Sequence, residues 1–96
     1  MSAPGYIIAR IEVTDAEGYS KYTAQTPGIA AKFGGKFIVR AGQHNYREGD
    51  GPSRIVVIRF PSFAQAQAMY DSAEYQAVLP HALQNSTRDL VIVEGV

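Results

Sequence analysis

The chain reads as an α+β protein of order β-α-β-β-α-β, a four-stranded antiparallel sheet with both helical regions on one face. Three observations predict it. Four short runs, residues 6–13, 36–42, 54–60 and 89–94, are rich in β-branched and aromatic side chains. Stretches of helical spacing separate the first run from the second and the third from the fourth. Turn-forming residues at 48–52, Glu-Gly-Asp-Gly-Pro, join the middle two runs. With right-handed crossovers the two β-α-β halves interleave, and the sheet order becomes 4-1-3-2.

Each element has its own warrant. In the first run Ile7, Ala9, Ile11 and Val13 share one face, and Tyr6, Ile8, Arg10 and Glu12 the other. Thr14 and Glu17 have capping-box spacing, so a helix starts there. Tyr19, Tyr22, Thr23, Thr26, Ala30 and Phe33 give its buried stripe, with a break at Pro27-Gly28. Gly34-Gly35 supplies the positive-φ positions that end it. In the second run Phe37, Val39 and Ala41 oppose Ile38 and Arg40. The connection from 43 to 53 follows, in which Asn45, Tyr46 and Arg47 can extend the hairpin. The third run sets Val56, Ile58 and Phe60 against Ile55, Val57 and Arg59. Ser62 and Gln65 repeat the capping spacing, and Phe63, Ala66, Met69 and Tyr70 form the next buried stripe. After a break at Asp71-Ser72, a helix resumes through Tyr75, Val78 and Leu79, and Pro80 ends or kinks it. The last run sets Val91 and Val93 against Leu90, Ile92 and Glu94.

Helices cover one face of such a sheet. The other, with Ile8, Ile38, Ile55, Val57, Leu90 and Ile92, is more apolar than monomers usually tolerate. A second copy packed face to face buries it, and one domain spanning residues 1–96 then forms half of a homodimeric barrel. Arg10, Glu12, Arg40, Arg59 and Glu94 share that face and must be paired in the lumen, which also leaves room for a small-molecule ligand.

Composition narrows the function. Ninety-six residues with nine basic and nine acidic side chains carry no net charge, and no like-charge run exceeds two. A nucleic-acid footprint or an electrostatic membrane anchor is not expected. Without cysteine, thiol nucleophiles and thiolate metal sites are excluded. The start, Met-Ser-Ala-Pro-Gly, lacks the features of a signal peptide, and no apolar stretch is long enough to span a bilayer, so a cytoplasmic location is expected. No HxH or HxxxH spacing supports a metal, no nucleophile elbow or phosphate loop is present, and no cofactor is expected.

Several stretches, taken together, carry a family resemblance. Residues 5–11 (GYIIARI), 34–40 (GGKFIVR), Phe60-Pro61-Ser62, Glu74-Tyr75-Gln76 and 89–95 (DLVIVEG) occur in order over nearly the whole chain. In this the chain closely resembles the small bacterial proteins of domain-of-unknown-function family 1330. The resemblance implies a ferredoxin-like fold within the dimeric α+β barrel superfamily. That superfamily includes cofactor-independent monooxygenases, isomerases, heme-degrading enzymes and ligand-sensing regulators. The chain departs from the family pattern at three places. His81 stands next to a missing arginine after Pro80, Arg59 replaces a glutamate before Phe-Pro-Ser, and Met69 replaces a tryptophan before Tyr70.

The candidate site residues follow. Arg40 is the first, because a guanidinium on the lumen side holds a carboxylate bidentately; its competing role is an ion pair with Glu12 or Glu94. Arg10 and Glu94 share that ambiguity. Tyr19 and Tyr75 stand at core spacing within family-like stretches, and a buried phenol needs a partner. His44, after the second strand, and His81 are the two side chains that titrate near neutrality. Two functions stay open: a binder of a small anionic or aromatic molecule, extending to a cofactor-independent enzyme, and a non-catalytic interaction or sensing module.

Overall fold

The computed structural model describes residues 3–96. Its elements follow in the order β1 (Gly5–Val13), α1 (Ala16–Thr23), α2 (Thr26–Lys32), β2 (Lys36–Arg40), β3 (Arg54–Phe60), α3 (Phe63–Asp71), α4 (Ala73–Gln84) and β4 (Ser86–Glu94). Met1 and Ser2, which open the segment read against a signal peptide, lie outside the described residues. The strands pair antiparallel in the order β2-β3-β1-β4, as right-handed crossovers require.

Side-chain caps start three of the four helices. Asp15, rather than Thr14, caps α1 and accepts from the amides of Glu17 and Gly18. Ser62 and Ser72 do the same for α3 and α4, accepting from the amides of Gln65 and Tyr75. The break after α1 falls just ahead of Pro27, which occupies the first turn of α2, where its missing N–H is no loss. Pro80, expected to end or kink its helix, lies inside α4. It is exposed while Leu79 and Ala82 beside it are buried, so packing carries the helix past it. At the end of α2, Gly34 takes φ 77°, and a Cβ on Gly35 would stand 2.6 Å from the Phe60 ring. Helix, turn and β3 meet there too closely for any side chain.

The core lies between sheet and helices. Ile7, Ala9 and Ile11 from β1 and Val56, Ile58 and Phe60 from β3 pack against Tyr19, Tyr22, Ile29, Met69, Tyr75 and Leu79. Burying each large side chain here contributes roughly 1.5–3 kcal/mol.

Two expectations about strand faces are corrected. β4 begins at Ser86, and its register sets Leu90 opposite Ala9, Ile92 opposite Ile7 and Glu94 opposite Gly5. These three therefore sit on the helix side of the sheet, and Val91 and Val93 face outward, 53% and 41% exposed. Both parities of this strand are equally apolar, so alternation alone could not choose; pairing with β1 does. In β2 the register shifts between Phe37 and Val39, which makes Ile38 the extra residue of a bulge. Phe37 lies opposite Ile58 and Arg40 opposite Val56, both core positions. Arg40 is thus turned to the helix side, with its guanidinium carbon 4.5 Å from the centroid of the Phe37 ring. The expected extension of the hairpin through Asn45–Arg47 does not form; β2 stops at Arg40.

Candidate functional site: a cationic pocket under the helices

A cavity of about 40 Å³ opens between the sheet and the helices. Ile7, Ala9, Ile11, Val56, Ile58 and Met69 make its apolar wall. Its polar groups are Arg54, Arg88, Tyr19, Tyr22, Tyr75, Thr23 and Thr26. Arg54 and Arg88 both lie opposite Ile11, one on β3 and one on β4, so two guanidinium groups flank the central strand on its helix side.

Arg88 organises the phenols. Its Nη1 donates to Tyr22 Oη at 3.2 Å and to Tyr19 Oη at 3.4 Å, and its Nη2 donates to Tyr75 Oη at 3.0 Å. Its guanidinium also lies 4.8 Å from the centroid of the Tyr22 ring, a cation–π contact. The Tyr22 and Tyr75 hydroxyls are 2.6 Å apart and share a hydrogen bond. The rings pack edge-on, with centroids 5.9 Å apart. Burial opposes the charge on Arg88, but Tyr22 and Tyr75 outweigh it and raise its pKa. Burial raises the pKa of both Tyr22 and Tyr19 against the opposing pull of Arg88, so the phenols are neutral donors at physiological pH.

One of the Tyr22 and Tyr75 hydrogens is used between them, which leaves the other free. Tyr19 accepts from Arg88 and keeps its own hydrogen to donate. Arg54 Nε is buried with no hydrogen-bond partner. Neither Arg54 nor Arg88 is in a salt bridge; the two among the described residues are Arg10–Asp89 and Lys32–Glu74. The site has positive charge and spare donors, and its lining contains no carboxylate.

The other expected residues lie elsewhere. Arg10 is on the bare face and donates to Asp89 at 2.8 Å, which holds the Asp89 carboxyl below its usual range. Glu12 accepts from the Ser53 amide and hydroxyl instead of from Arg40. Arg40 and Glu94 are exposed on the helix side, at opposite edge strands, so the expected Arg40–Glu94 pair across a lumen is not formed. His44 lies in the 41–53 connection, edge-on to Tyr46, with Nδ1 3.2 Å from the Gly42 carbonyl oxygen. His81 is half-buried on α4. Of the expected residues, Tyr19 and Tyr75 come together in the pocket.

Sequence reasoning missed Arg54, Arg88 and Tyr22 as site residues. Arg54 has the parity of Val56 and Ile58, so its face was readable. Arg88 has the parity of Leu90 and Ile92, but a strand begun at Asp89 leaves it in the loop.

Solved structures share this fold. A protein of unknown function from Rhodopseudomonas palustris matches with a TM-score of 0.78 at 15% identity, over 100% of this chain and 85% of its own. SnoaB, a cofactor-independent oxygenase from Streptomyces nogalater, matches at 0.66 and 15%, over 96% and 92%. A dimeric protein of unknown function and ferredoxin-like fold from Bacteroides fragilis matches at 0.61 and 13%, over 95% of each chain. At these identities the likeness is one of fold. No curated protein matches the chain. Residues 4–96 match the model of the domain of unknown function DUF1330, and the chain belongs to that family.

Proposed function

We propose that this protein binds the carboxylate of a small organic anion in the helix-side pocket, as one subunit of a homodimer. The observation that carries the reading is the buried, unpartnered Nε of Arg54 beside a second arginine that also has no acid. A buried donor without an acceptor costs about 1–3 kcal/mol, and a ligand oxygen would recover it. Size supports a carboxylate over an aromatic ring. A cavity of about 40 Å³ holds a few waters or one small head group. Any aromatic body then lies toward the pocket mouth.

This reading moves the ligand from the inter-subunit lumen to the space under the helices. Tyrosine hydroxyls are the proton-active groups of the lining, which suits holding an oxyanion or donating a proton to one. The cofactor-independent oxygenase of the same fold gives the enzymatic version a precedent at the level of architecture. A second reading, a sensing module without chemistry, draws support from the lining, which contains no carboxylate or histidine to act as a base.

Thermal shifts with hexanoate, benzoate and phosphate test the proposal. The two carboxylates should raise the melting temperature, and Arg88→Met should abolish the effect. Equal shifts in the wild type and the Arg88 variant, or none with any carboxylate, would overturn it.

A further inference from the structure

Arg40 stands beside the pocket wall through its contact with Phe37, and three observations single it out. The Ile38 bulge reverses the parity of β2 and aims Arg40 to the helix side, where regular alternation would have sent it outward. Its guanidinium stacks on Phe37, a residue of the pocket wall, and is exposed with no salt-bridge partner among the described residues. The next residue, Ala41, holds φ 54°, the one non-glycine residue with positive φ among those described. An L-residue with a Cβ is strained there, and such strain is maintained only where the surroundings enforce it. Bulges that re-aim a side chain recur beside binding sites.

The register places Arg40 opposite Val56, two residues from Arg54 on the neighbouring strand. Diagonal neighbours of this kind lie about 7–8 Å apart. Arg40, Arg54 and Arg88 therefore form a row across β2, β3 and β4 on one side of the sheet, and none has a carboxylate partner. One carboxylate seated between Arg54 and Arg88 leaves Arg40 facing the part of the ligand that emerges from the pocket.

We propose that the ligand is a dicarboxylate, its inner carboxylate held by Arg54, Arg88 and the tyrosine hydroxyls and its outer one by Arg40 at the rim. The inference rests on the carboxylate-binding reading above and adds the second acid group. The bulge sets the spacing, so the preferred chain length is that which reaches from the pocket to the rim.

Titration calorimetry of the full chain with glutarate, adipate and pimelate, each against its monoacid valerate, hexanoate or heptanoate, tests this. One diacid of the series should bind about tenfold more tightly than its monoacid, the equivalent of one charged hydrogen-bonding contact. Arg40→Gln should remove that advantage, so that the diacid binds no more tightly than its monoacid. Arg40→Lys should restore part of it, and Arg59→Gln, which removes an outer-face cation, should have no effect. Monoacids that bind as well as every diacid, or an Arg40→Gln variant that keeps the diacid preference, would overturn the second anchor and leave the pocket reading standing. If no acid of either series binds, both fall.

Discussion

Arg88 is the residue on which the most interactions converge, and its replacement separates packing from chemistry. Arg88→Met keeps much of the stem but removes donors to three phenols. A loss of about 1.5–3 kcal/mol is expected from the hydrogen bonds to a charged group, measurable by urea unfolding. Tyr75→Phe should cost less, about 1 kcal/mol, because the ring still fills its fully buried site and the hydroxyl alone is lost. The same phenols set an alkaline limit. Tyr22 and Tyr19 have raised pKa values in the fold, so each adds stability that is full below the ordinary tyrosine pKa of about 10 and falls as pH rises toward the folded value. Ultraviolet titration of tyrosinate should show Tyr22 ionising only with unfolding, and Tyr22→Phe should flatten the loss of stability above that pH. Ionisation of Tyr22 in the intact fold near pH 10 would contradict its burial. Of this cluster, Tyr19, Tyr22 and Tyr75 were legible in the sequence as buried helix positions. That their hydroxyls converge was not, because it depends on how α1 and α4 meet over β4. Arg88 was hidden by a strand boundary three residues away from its true place.

At the scale of elements, the bulge in β2 is the feature that alternation could not supply. A period-two reading assigns Arg40 to the outer face, and one inserted residue reverses every position beyond it. Ala41 offers a direct measure of the local strain. Ala41→Gly should be neutral or stabilising by up to about 1 kcal/mol, and Ala41→Val should destabilise by about 1–2 kcal/mol. Thermal unfolding of the two variants checks the order; a glycine variant less stable than the valine one would remove strain from the account. The helix starts, by contrast, were largely readable, since Ser62 and Asp15 are cap residues one can see in the chain. The shift from Thr14 to Asp15 is within the ambiguity of two adjacent cap formers. β4 was misassigned in face because Leu90, Val91, Ile92 and Val93 are uniformly apolar, and only the partner strand tells them apart.

For the whole molecule, the strand order and the two-layer architecture followed from the element sequence and the handedness of crossovers, and the structure has both. The bare face remains apolar after the correction of β4: Ile38, Val39, Val91 and Val93 are all exposed there, around the half-buried Ile8, Ile55 and Val57. A partner seated on this face would gain roughly 25 cal/mol for each Å² of apolar surface covered, before the cost of association. Val91→Asp should therefore convert a dimer to a monomer while leaving the helix-side pocket formed. Light scattering at micromolar concentration measures this, and a monomeric mass for the unmodified chain would refute the proposed assembly. Arg10–Asp89 lies on the same face and is exposed in the single chain, where such a pair adds little stability.

The two arginines on either side of Ile11 have a consequence for how an occupied pocket would open. Arg54 and Arg88 belong to β3 and β4, which do not pair with each other; the backbone ladder links the two only through β1. A carboxylate gripped by both would be a clasp across a strand, tying together two neighbours that the backbone ladder leaves separate. Neither β3 nor β4 could then peel away alone without releasing the ligand. Openings that part β4 from β1, or β3 with its edge strand β2 from β1, would be suppressed, and amide exchange along the β1–β3 and β1–β4 ladders would slow to a common rate.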